Sequence, residues 1–149
     1  MAERSFKQEV DKLRLGLGEE FCGEGILAVT KALLQCGVGY VGGYQGAPIS
    51  HLMDVLVDAQ DVLEELDVRF EANASEAAAC AMLAASVHYP IRGAVAFKSP
   101  VGINVASDAL ANLSSGGVTG GALVVVGEDY GEGSSICLLY TSPSPRDRG

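Results

Sequence analysis

The chain of 149 residues has no tryptophan and only 6% aromatics, so a core must be packed mainly from small aliphatic side chains. Positive charge is scarce: 10 Lys and Arg stand against 19 Asp and Glu, a net charge of −9. Nucleic acids and anionic membranes select clustered Lys and Arg, so neither is an expected partner. No stretch reaches the roughly 18–20 uninterrupted apolar residues of a membrane span. The opening residues, MAERSFKQEV, lack the apolar centre of a secretory signal. The cysteines (Cys22, Cys36, Cys80 and Cys137) form no C-x-x-C pair, and His51 and His88 stand without partners at ligand spacing, so no metal site is assigned. Three of the cysteines lie in apolar helical contexts and read as small buried thiols in a reducing cytoplasm.

What is present is the composition of a globular domain: 48% hydrophobic, 19% charged and 19 glycines, several at apparent element ends. Residues 3–14 predict a polar helix too short and charged to enter a core. Apolar residues at helical spacing predict helices over 23–36 and 49–65, the second with an acidic outer face. Gly37 offers a left-handed cap after the first. Short apolar strands are expected at VGYVGGY, DVRF, GAVAF and GALVVVG, the last β-branched and continuous like a buried parallel strand. A helix follows DVRF, and another runs through INVASDALANL. This alternation predicts an α/β fold with a parallel sheet and helices on both faces. Ligands of such sheets sit beyond the carboxyl ends of the strands, here YQGAPIS, EANASE, KSPVG and GEDYGEGSS.

GVGYVG spells G-x-G-x-x-G, but a helix precedes it and a strand contains it, the reverse of the dinucleotide fingerprint. It is assigned to a helix cap and close strand packing. Glu128, Asp129 and Glu132 are assigned to a solvated acidic turn in preference to a cation site. Asn73-Ala74-Ser75-Glu76 has capping-box spacing, and local spacing favours that role. Its company argues otherwise: from Ala77 to Val87 the chain offers only Ala, Cys, Met, Leu, Val and one Ser, a helix that reads as buried on all sides. A carboxylate placed there can instead exchange a proton with a nitrogen heterocycle.

Four stretches in register carry a family resemblance: GEGILAVTKALLQCGVGYVGGYQGAPISHLMDVL, FEANASEAAACAMLAAS, VGINVASDAL and GVTGGALVVVGEDYGEGSS. From about Phe21 to Ser135 the chain resembles the N-terminal domain of 2-oxoacid:ferredoxin oxidoreductases, most closely the alpha subunit of the indolepyruvate enzymes. The resemblance implies a fold that binds the aminopyrimidine end of thiamine diphosphate. The family's E-W-S-x-N-E stretch falls on Glu71 to Glu76, so its pyrimidine-contacting glutamate falls on Glu76, the implied catalytic residue. The Tyr-Pro-Gly-Thr-Pro-like turn falls on Tyr44-Gln45-Gly46-Ala47-Pro48, making Gly46, Ala47 and Pro48 implied cofactor contacts with Gly102 and Asn104. Here Gln45 replaces a proline, Ala47 a threonine, His51 an acidic residue and Ala72 a tryptophan.

The implied reaction is oxidative decarboxylation of a 2-oxoacid, with coenzyme A taking the acyl group and ferredoxin the electrons. Magnesium, the pyrophosphate-binding domain and the iron–sulfur clusters are implied in other parts of an oligomeric enzyme, so this chain alone is expected to be inactive. Alternatives are another thiamine-diphosphate enzyme of the decarboxylase or transketolase type, or a non-catalytic docking domain. Residues 1–20 are read as a polar extension and 21–135 as the pyrimidine-binding domain. Residues 136–149, with CLLYTSPSPRDRG, resemble a sequencing-adapter read-through and are read as non-native.

Overall fold

A computed structural model describes residues 4–99 and 101–128. Helix α1 (Gly25–Gln35) buries Leu27 and Leu33, and Gly37 ends it at φ 71°, a left-handed turn that glycine takes without steric cost. Strand β1 (Val38–Gly43) follows, then a turn containing a cis Ala47–Pro48 peptide. The helix expected over 49–65 is divided into α2 (Ser50–Asp58) and α3 (Gln60–Glu65), because Ala59 leaves helical geometry at φ −95°, ψ 18°. Strand β2 occupies Arg69–Ala72, two residues later than the sequence pattern placed it. Helices α4 (Glu76–Met82) and α5 (Ala85–His88) lead to β3 (Arg92–Lys98). The helix after β3 is again divided, into α6 (Val101–Val105) and α7 (Ser107–Gly116), before β4 (Ala122–Gly127) closes the described chain.

The four strands pair in parallel in the order β2-β1-β3-β4. Helices cover both faces. One core joins Leu33 of α1, Leu52, Met53 and Leu56 of α2 and Leu63 of α3 to Val41, Ala94 and Ala96 of the sheet. The opposite core joins Ala79, Cys80 and Leu83 to Tyr40, Val95, Phe97 and Ala106. The predicted α/β class is therefore the observed one. The chain leaves β1 to one side for β2 and to the other for β3, so the strand order switches beside β1, where the crevice of an open parallel sheet lies.

Several local expectations are corrected. Residues 3–14 are not excluded from the core: a 3-10 helix at Val10–Arg14 and the segment before it place Phe6, Val10 and Leu13 against Leu27, Val55 and Val62. Their charged neighbours point outward, and Arg14 forms a forked pair with Glu65 at 2.8 and 2.9 Å. The acidic face of α2 is not wholly outward. Asp54 is fully buried, accepting the Arg4 amide at 3.2 Å and lying 3.2 Å from His51 Nδ1, because the N-terminal segment lies over it. Helix α4 and its continuation expose Ala81 and Ala84, so the helix is not enclosed all round. Strand β4 is an edge strand with Leu123 and Val126 exposed, unlike the buried strand its β-branched run suggested. Cys22 and Cys36 are exposed, and of the described cysteines Cys80 alone is buried. Among the described residues no helix is long and apolar enough to cross a membrane.

Candidate functional site

The capping box is not formed. Ser75, extended at φ −165° and ψ 168°, is the N-cap, and its Oγ accepts the Ala78 amide at 3.2 Å. Glu76 is then the first helical residue, one position past the cap instead of three, so it has no cap amide to reach back to. Asn73 serves the sheet instead: its Oδ1 accepts the Gly43 amide at 3.1 Å, and its own amide donates to the Gly43 carbonyl at 2.9 Å. These two bonds fix the end of β1 to the loop that launches α4.

Freed from capping, Glu76 is only 7% exposed, and its carboxylate has no hydrogen-bond or ion-pair partner among the described residues. Its oxygens are not among the fully enclosed unpartnered atoms, so the little surface Glu76 keeps leaves them open to a donor from water or a ligand. The helix N-terminus favours negative charge there. One turn on, the Cys80 thiol is pushed up to about 11 by burial first and by the Glu76 carboxylate second. Cys80 stays protonated near neutral pH, so it is not a nucleophile there.

The wall facing Glu76 comes from α6. A Cβ on Gly102 would lie 2.4 Å from Phe97 Cδ2 and 3.0 Å from Glu76 Cγ, so this position takes glycine to let α6 approach the carboxylate. The turn after β1 meets the end of β3 in the same way: a Cβ on Gly46 would lie 2.9 Å from Lys98 Cβ. Gly46, in the turn after β1, and Gly102, in α6, thus border the crevice from two sides. Ala47 and Pro48 are exposed on the first, and Asn104 is exposed on α6. The structure brings Gly102 to Glu76 and leaves Asn104 on the open side of its helix.

Beside the turn, Tyr44, Gln45, Met53, Phe70, Ala72 and Asn73 line a cleft of about 400 Å³. Another, of about 430 Å³, runs along the uncovered face of β2 past Arg69, Glu71, Met82 and Ile91 and does not include Glu76. Its lining is mainly apolar surface left bare by an edge strand, whereas the Glu76 carboxylate lies at the strand-order switch, where ligands of open parallel sheets bind. Glu71 faces the open cleft and is exposed, apart from Glu76. GVGYVG forms the end of α1 and strand β1, the cap-and-packing role assigned from its order. Asp129 and Glu132 lie outside the described residues, while Glu128, half-buried with both carboxylate oxygens enclosed, ends them. Among the described residues no group of three or more His, Cys, Asp or Glu is placed to hold a metal ion.

Sequence reasoning passed over Ser99 and read Glu128 only as part of an acidic surface turn. Ser99 Oγ and both Glu128 carboxylate oxygens are buried without partners at the ends of β3 and β4. The one available signal was position, since each is the first residue after a strand.

A four-strand parallel sheet flanked by helices on both faces is consistent with the pyrimidine-binding type of thiamine-diphosphate domain. The chain is 30% identical over 119 residues to indolepyruvate oxidoreductase subunit IorA of Methanothermobacter marburgensis, covering 80% of this chain and 19% of that protein. To the subunit of the same name in Methanothermobacter thermautotrophicus it is 32% identical over 122 residues, 82% of this chain and 18% of that protein. The Archaeoglobus fulgidus subunit matches at 30% over 120 residues, 80% of this chain and 19% of the relative. The chain belongs to the family of indolepyruvate ferredoxin oxidoreductase alpha subunits, and it spans about a fifth of the length of the curated relatives it matches. No family model matches it, and no solved structure does.

Proposed function

We propose that this chain supplies the pyrimidine-binding side of a thiamine-diphosphate site in a 2-oxoacid ferredoxin oxidoreductase acting on an arylpyruvate such as indolepyruvate. The observation that carries this reading is Glu76: buried to 7% exposure, released from capping by Ser75, and without a partner among the described residues at the sheet's switch point. The residues present fit the group. An unpaired carboxylate beside a glycine wall accepts a hydrogen bond from, or exchanges a proton with, the nitrogen of a flat heterocycle. Gly102 keeps the wall close, and the turn at Gly46, Ala47 and Pro48 borders the other side, with Asn104 nearby on α6. Thiamine diphosphate, when bound, supplies the carbon nucleophile and electron sink for decarboxylation.

This chain's share is to orient the ring and hold a proton at the Glu76 carboxylate, while the apolar floor of Phe97 and Ala79 excludes water. The pyrimidine-binding unit is assigned to residues 21–135, and Phe6, Val10 and Leu13 of the preceding extension brace it. The diphosphate, its magnesium, the iron–sulfur clusters and the sites for coenzyme A and ferredoxin belong to other parts of the enzyme. In the complete enzyme carrying this domain, Glu76→Gln is expected to lower 2-oxoacid-dependent ferredoxin reduction at least about 100-fold, in line with loss of a general acid–base group. The thermal unfolding midpoint should stay unchanged. Retained turnover would refute the assignment.

A further inference from the structure

Ser99 and Glu128 directly follow β3 and β4. The last rung of that ladder pairs Lys98 with Gly127, and the Ser99 amide donates to the Gly127 carbonyl at 2.9 Å, so the two residues are neighbours. Ser99 is 0% exposed and its Oγ has no partner among the described residues; both carboxylate oxygens of Glu128 are buried and likewise without a described partner. Along β3, Val95 and Phe97 face the core beneath α4, and along β4 so does Val124. Strand alternation therefore turns Ser99 and Glu128 to that same side. Glu76 and Gly102 meet there, against Phe97.

A hydroxyl or carboxylate buried without a partner is costly, and adjacent orphans compound the cost. Nothing in the described fold offsets it, so the missing donor belongs to a ligand. A carboxylate disfavours an anion, and a carboxylate beside a hydroxyl can both accept from one N–H group. We propose that Ser99 and Glu128 form an acceptor pair for an N–H group bound at this rim, which rests on the thiamine reading of Glu76. That N–H comes either from the amino group of the cofactor's pyrimidine or from the side chain of the 2-oxoacid.

The test titrates this chain and its Ser99→Ala and Glu128→Gln variants, with binding followed by amide chemical shifts. One arm compares thiamine with its analogue carrying oxygen in place of the amino group; the other compares indolepyruvate with phenylpyruvate, which lacks the N–H. In the arm that supplies the donor, wild type should prefer the N–H-bearing ligand about tenfold or more, the value of a hydrogen bond to a charged group. Both variants should lose that preference without unfolding earlier, because no native partner is removed. Equal binding of both members of both pairs would overturn the proposal, as would variants that unfold earlier and still discriminate. Loss of thiamine binding in Glu76→Gln, with discrimination intact in the two variants, would overturn this pair and leave the Glu76 reading standing. No binding of any probe to wild type would overturn both.

Discussion

Gly102→Ala sets two effects of opposite sign against each other at the proposed site. Inside a helix alanine is favoured over glycine by about 0.5–1 kcal/mol. The new methyl, however, would lie 2.4 Å from Phe97 Cδ2 and 3.0 Å from Glu76 Cγ. Unbonded carbons rest about 3.5–4.0 Å apart, so an overlap of about 1 Å must be relieved. Phe97 is 0% exposed and cannot swing aside, which leaves α6 or Glu76 to move. Overpacking of this kind costs about 1–3 kcal/mol, more than the helical gain, and the net loss should be about 1–2 kcal/mol. In urea, with a slope of about 1–3 kcal/mol per molar, the unfolding midpoint should fall by roughly 0.5–1.5 M. Gly39→Ala is the control: its nearest neighbours stand 3.9 Å away, so the midpoint should move little. A Gly102→Ala chain as stable as wild type, or more so, would refute the close approach of α6 to Glu76.

Phe6→Ala should cost about 3–5 kcal/mol in the same assay, because Phe6 is 1% exposed among Val10, Leu27 and Val55; a loss below about 1 kcal/mol would return the N-terminal segment to the surface. Tyr40→Phe should cost about 1–3 kcal/mol by stranding the Ser86 hydroxyl, now 2.6 Å from the Tyr40 oxygen with both side chains buried. An unchanged midpoint would contradict that bond. Cys80 holds its proton in the folded chain to about pH 11 against 9.0 for a free thiol, so the native state binds more protons between those values. Stability should fall as pH rises from about 9 to 11, by an amount of order 1–2 kcal/mol that disappears in Cys80→Ala. Equal pH slopes for the two chains would refute it.

The strands and the sheet class were legible because short apolar runs between glycines admit few readings in a parallel fold. Gly37 was legible for a similar reason: a left-handed cap has one usual occupant. What hid was set by tertiary contact. Ala59 and Ala106 break their helices without any glycine or proline to announce it. Asp54 shares the hydrophilic stripe of its neighbours and is buried only because the segment at Arg4 folds back over it. Phe6, Val10 and Leu13 are diluted by charges that a helical average counts against them, although Arg4, Lys7, Asp11 and Arg14 are exposed. At the site, Glu76 could be picked out from its apolar surroundings, yet two residues of slippage in the cap decide its role, and no sequence rule separates Asn73 from Ser75 as the cap. Ser99 and Glu128 look like ordinary loop residues until the ladder sets them side by side.

The central claim is that the Glu76 carboxylate addresses a cofactor ring. With the glutamates carboxyl-labelled with carbon-13, and the Glu76 signal assigned by its loss in Glu76→Gln, thiamine can be titrated into this chain at millimolar concentration. The expected result is a saturable shift of that one signal, absent for the exposed Glu71, with thiamine affinity lowered at least about tenfold in Glu76→Gln. A Glu76 signal that stays fixed while thiamine binds, or an affinity unchanged in the variant, would contradict the claim.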